Sequence, residues 1–143
     1  MTDGSTQAHV AEVARYFRRY GWAFDRLDDE TFRTSFRGKN AAFIALVRVT
    51  EHWVVLTVNP FVRGPEGGLG PVALRFLATA NFQESIVKLG LDDDDDVFIN
   101  VELPVEGFSY ELFAAALTSL SHAADRLIVL LLQAMVIDDR NAA

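Results

Sequence analysis

Apolar positions along the chain fall into a short series of patterned segments. Val10, Val13, Ala14 and Phe17 recur at helical spacing, predicting an amphipathic helix from about Ala8 to Tyr20 that Gly21 stops. Phe32, Thr34 and Phe36 then alternate with Arg33, Ser35 and Arg37, the pattern of a strand with one wet face. "AAFIALVRV" and "WVVLTVN" are rich in β-branched and aromatic residues and are joined through Thr50-Glu51-His52, so they continue an antiparallel meander. Phe43, Ala45, Val47 and Val49 face one way on the first of these, opposite Ile44 and Leu46; both faces are apolar enough to be covered.

"PFVRGPEGGLGP" holds three prolines and four of the nine glycines, and reads as a loop; the segments flanking it are too small to fold separately. Pro71 sits well in the first turn of a second helix reaching about Gln83 and burying Val72, Phe76, Leu77 and Ala80. "SIVKLGL" and "VFINVEL" pair around five consecutive aspartates, Asp92 to Asp96. Ser109 caps a long last helix running to about Ile137. The predicted fold is therefore α+β, an antiparallel sheet with helices packed on it, in the order α-β-β-β-α-β-β-α. Residues 1–7 are expected to be a flexible N-terminus, 8–138 a single domain and 139–143 a flexible C-terminus.

Near its end the last helix reads "LIVLLLQAMVI", apolar on every side except Gln133. That run is about half of the roughly 20 residues needed to cross a bilayer, so no membrane span is expected. A helix apolar all round is buried on more than one side, and one sheet covers only one. A second copy of the chain is the preferred cover, with a fully intramolecular core as the alternative, which makes Leu127, Leu130, Leu131 and Met135 candidate dimer or partner contacts in a homodimer.

At 143 residues, half of them apolar and eleven of them Phe, the chain can bury a core without staples. It has no cysteine, which removes disulfides, thiol nucleophiles and Cys-based zinc sites. The opening Met-Thr-Asp-Gly-Ser-Thr-Gln lacks the basic-then-apolar pattern of a secretion signal, so the expected location is the cytoplasm. The net charge of −7 is uneven: residues 1–80 hold ten Lys/Arg against eight Asp/Glu, and residues 81–143 three against twelve. So acidic a second half argues against broad nucleic-acid binding and suits a basic partner.

Chemical candidates are few. An EF-hand loop counted from Asp92 would need Gly at its sixth position and Glu at its twelfth, where the chain has Val97 and Leu103. The aspartates read instead as a solvated hairpin tip. Gly68-Leu69-Gly70-Pro71-Val72-Ala73 loosely matches a dinucleotide fingerprint, but no parallel strand precedes it and Pro71 removes an N–H where phosphate would sit. Arg15, Arg18 and Arg19 lie close on the first helix beside Tyr16 and Tyr20, with Arg33 and Arg37 able to extend a basic patch. His9, His52 and His122 share no ligand spacing, and His122 could hydrogen-bond Asp125. Glu102 and Glu106 straddle Pro104, so their four-residue spacing has no helical meaning. No catalytic residue, cofactor site or metal site is expected.

"VARYFRRYGWAFDRLDDETF", "FLATANF" with its Asn81, the hairpin around the aspartates and "ELPVEGFSYELF" together resemble the bacterial YbjN family, over roughly Val10 to Ile137. The resemblance implies a type III secretion chaperone-like fold and a non-catalytic, usually dimeric protein that binds other proteins or regulates. The last helix looks greasier than the family's usual finish. The function expected is a homodimer holding an unidentified protein client, either on a sheet edge or in a groove on a helix-free sheet face. The alternative is a nucleic-acid accessory protein acting through Arg15, Arg18 and Arg19.

Overall fold

A computed structural model describes residues 4–143. Three helices and six strands follow in the order α1 (Gly4–Tyr20), β1 (Phe24–Arg26), β2 (Thr31–Arg37), β3 (Ala42–Val49), β4 (Trp53–Val62), α2 (Pro71–Gln83), β5 (Lys88–Leu91), β6 (Val97–Pro104) and α3 (Tyr110–Ala142). All six strands form one sheet in the spatial order β1-β2-β3-β4-β6-β5, antiparallel at every step. The architecture is the α+β one expected from the hydrophobic pattern, with one extra strand.

That extra strand, β1, corrects the expected order. Only three residues long, it pairs Phe24 with Thr34, Asp25 with Arg33 and Arg26 with Phe32. Two of its three side chains are exposed, so it carries no alternating signature of its own. Helix bounds differ too: α1 begins at Gly4 and not near Ala8, and α3 continues past Ile137 to Ala142. The tails expected over 1–7 and 139–143 are thus helical from residue 4 onward and up to 142; residues 1–3 lie outside the described residues.

One face of the sheet carries the core. Phe32, Val47, Leu56 and Val101 pair in one row across β2, β3, β4 and β6, and Val49, Val54 and Leu103 in the next, all buried. On that face α1 lays Val10, Val13 and Phe17, while α3 lays Phe113, Leu117, Leu120, Leu127 and Leu131. Phe17 and Phe113 meet edge to face at 5.0 Å and neither is exposed; truncating either to Ala would cost about 3–5 kcal/mol. Ser109 caps α3 by accepting the Leu112 N–H at 3.2 Å, as its type at that position predicts.

α3 spans 33 residues and includes a stretch of mean hydropathy 1.6, so by length and composition alone it could cross a bilayer. The expectation that its apolar part is too short does not hold. One stripe of it, from Phe113 to Ala134, packs within the domain, and about a third of the apolar stretch is buried there.

Candidate functional site

Helices cover one face of the sheet and leave the other open. Its central row runs Asp25, Arg33, Leu46, Thr57, Asn100, Lys88 across all six strands. A second row holds Thr31, Arg48, Val55 and Glu102, and a third begins Ser35, Ile44. The alternation that sends Phe43, Ala45, Val47 and Val49 into the core sends Ile44 and Leu46 outward, and Ile44 is 62% exposed. Trp53 stands at the start of β4, also exposed.

Between the β1–β2 turn and the middle of this face lies a shallow concavity of about 830 Å³. Leu46, Val55 and Thr57 form its floor, Arg48 and Asn100 stand within it, and Asp28, Asp29 and Glu30 form one wall. That wall is fixed by its own backbone: Arg26 donates to the carbonyls of Asp28 and Asp29, and Asp28 Oδ1 accepts the Glu30 N–H at 2.8 Å. The Glu30 N–H, and after it the Thr31 hydroxyl, holds the Asp28 carboxyl below its ordinary range, so it stays ionised. Asn100 differs from its neighbours, because its Oδ1 is buried and has no hydrogen-bond partner among the described residues. A buried acceptor left unpaired costs about 1–3 kcal/mol, and a donor brought by a covering segment would relieve it. The asparagine was not singled out in sequence; only its register opposite Thr57 and Lys88 places it here.

The apolar end of α3 divides in two. Leu127 and Leu131 are 3% and 0% exposed, so they belong to this chain's own core and present nothing to a second subunit. Leu130 is exposed, Met135 is half-buried, and Leu132, Val136 and Ile137 are exposed beside them. With them the α2 side of the molecule exposes Leu74 and Phe82, the latter almost wholly.

Arg15, Arg18 and Arg19 are all exposed on α1. Arg18 lies over the Phe24 ring at 5.5 Å and Arg19 over the Tyr110 ring at 3.9 Å, tying α1 to β1 and to the start of α3. Glu12 bonds His9 and Tyr16; burial, then that bond, pushes the Tyr16 phenol up. Arg33 pairs with Asp25 on the open face, and Lys88 with Glu102.

Other sequence candidates resolve into structure. Asp92 to Asp96 turn β5 into β6: Asp92 Oδ1 accepts the N–H groups of Asp94 and Asp96, and Asp96 Oδ1 accepts that of Gly64. Among the described residues no group of three or more His, Asp or Glu is placed to hold a metal ion. Asp125 does not pair with His122; its carboxylate accepts the N–H groups of Lys39 and Asn40 in the β2–β3 turn. Asn81 bridges α2 to β5, bonding both the N–H and the carbonyl of Leu89.

The sequence model of the YbjN family, described as "Putative bacterial sensory transduction regulator", matches residues 9–132. No curated protein matches. Among solved structures, a chain of the heterodimeric complex ExoU–SpcU from the type III secretion system of Pseudomonas aeruginosa has a similar fold, with a TM-score of 0.58 and 18% identity. The match covers 85% of this chain and 95% of that one.

Proposed function

This chain belongs to the YbjN family, and from that premise we propose that it is a non-catalytic regulatory or chaperone-like module, a cytoplasmic homodimer that holds a segment of a partner protein on the open face of its sheet. Family and fold together support a role without chemistry. The single observation that carries the binding surface is the one-sided layering: a six-stranded sheet whose second face carries Ile44, Leu46, Val55 and the unpaired Oδ1 of Asn100. Apolar side chains on that face stay in water unless something covers them, and burying them is worth roughly 25 cal/mol per Å². Charged residues ring the apolar middle, so a segment would be seated by contact and aligned by charge.

A protein partner is also in keeping with the fold neighbour, which is a member of a heterodimeric complex. The dimer rests on separate residues, Leu130 and Ile137 on α3, which lie on one side of that helix at a spacing of two turns. Affinity capture from the native cell, wild type against Ile44→Glu, tests the holding surface. A protein recovered with wild type and lost with the variant is expected; equal recovery by both refutes the open face as the place of holding.

A further inference from the structure

A second groove lies at the far end of the molecule, between the 65–70 loop and the last turns of α3. It encloses about 490 Å³, floored by Leu69, Leu132, Met135 and Val136. Successive helical residues turn by about 100°, so Leu132 and Val136 point away from Leu130 and Ile137, and this groove is distinct from the proposed dimer stripe. It is also distinct from the open sheet face and does not depend on the function proposed for that face.

Its walls are built rather than loose. Gly67 and Gly68 both take positive φ, 86° and 89°, which shapes the loop as few other residues could. Gly64 N–H is held by Asp96, Gly68 N–H by the Pro65 carbonyl, and the start of α2 by Asp138. Around the apolar floor stand Glu66, Asp138 and Asp139. The aspartate turn closes on the same loop: a side chain at Gly64 would collide with the Asp95 carbonyl, and the Asp95 carboxylate lies 3.9 Å from where a Gly68 Cβ would be. The carbonyl end of α3 adds negative potential of its own. Among the described residues no Lys or Arg lines the groove to balance that charge.

We propose that this groove docks a cationic amphipathic segment of a partner protein, its apolar side chains on Leu69, Leu132, Met135 and Val136 and its Lys or Arg residues against Glu66, Asp139 and the aspartate turn. Charge complementarity fixes the class of occupant. An anionic lipid surface carries the same sign as the rim and is repelled, and an acidic segment likewise. Met135 supplies an adaptable floor, suited to apolar side chains of more than one shape. The acidic hairpin thereby gains a role beyond turning the chain, as the electrostatic side of a binding groove.

The test is fluorescence anisotropy with a labelled peptide of leucine and lysine, its leucines at i, i+3 and i+4, and with the same peptide carrying glutamate for lysine. The Leu/Lys peptide binds and the Leu/Glu peptide does not. The double variant Val136→Lys/Asp139→Lys, checked for an unchanged circular dichroism spectrum, loses at least about tenfold in affinity, a loss of about 1.4 kcal/mol. Ile44→Glu on the open sheet face leaves the affinity unchanged. Backbone amide shifts on titration cluster at Leu69, Leu132 and Val136. Equal binding of both peptides, an unaffected double variant, shifts centred on β3, no peptide binding at all, or recruitment to anionic vesicles in its place each overturns the proposal.

Discussion

Asp138, near the end of α3, caps the start of α2 by accepting the N–H of Val72 at 2.9 Å; its other oxygen accepts that of Ala73 at 2.8 Å. α2 needs this help, because its own N-cap position is Gly70, which offers no side chain. The glycine is itself a consequence, since any Cβ at Gly70 would run into the Asp138 carboxylate. Asp138→Ala is expected to destabilise the fold by about 1–2 kcal/mol, read as a lower urea midpoint with an unchanged slope. A Gly70→Ala variant should be destabilised as well.

Asp125 repeats the device on another side of α3. Its carboxylate accepts the N–H of Asn40 at 2.8 Å and of Lys39 at 3.1 Å, and packs where a Cβ on Gly38 would be. The Asn40 N–H is the main cause that lowers the Asp125 carboxyl below the ordinary 3.8. A carboxylate lowered on folding stabilises the native state above its unfolded value and ceases to do so as pH falls through its folded value. Thermal unfolding of wild type against Asp125→Asn should therefore show a gap at neutral pH that persists to about pH 4 and closes in stronger acid. A gap that stays constant to the lowest pH would mean that the contact does not depend on the charge.

These two caps mark the limit of what the sequence makes legible. The helices and all strands but one follow from local periodicity, as do the Pro71 start of α2 and the Ser109 cap. β1 escapes because three residues with two exposed give no period to detect. Asp125, Asp138 and Asn100 escape because their partners are distant in the chain, and only the assembled sheet and helices bring them together. Leu127 and Leu131 show the converse: apolar composition marks them as buried, yet it cannot say whether the cover is this chain or another.

The aspartate turn should respond to substitution position by position. Asp92→Ala loses the acceptor for two N–H groups and should cost about 1 kcal/mol. Asp93→Asn and Asp94→Asn should stay within about 0.5 kcal/mol of wild type. Asp95 holds φ at 61°, the left-handed region, so Asp95→Gly should be neutral or stabilising by up to about 1 kcal/mol. Calorimetric titration with calcium or magnesium should give no heat. Binding with a defined stoichiometry would return the turn to consideration as a metal site.

Light scattering at micromolar concentration should find twice the 15.9 kDa mass of one chain. Leu130→Asp combined with Ile137→Asp places two charges on the exposed stripe of α3 and should yield a folded monomer. A wild-type protein already monomeric under these conditions refutes the dimer.

The open face of the sheet can be interrogated where it works. A photo-crosslinking residue placed at Ile44, the exposed large apolar residue of β3, samples whatever covers that face in the native cell. A discrete adduct with another protein is expected at position 44, one that weakens when Leu46→Glu or Val55→Glu is added, and no such adduct from a crosslinker at Arg75 on α2. Adducts at position 44 that contain only a second copy of this chain, or none at all, would contradict the holding of a partner there.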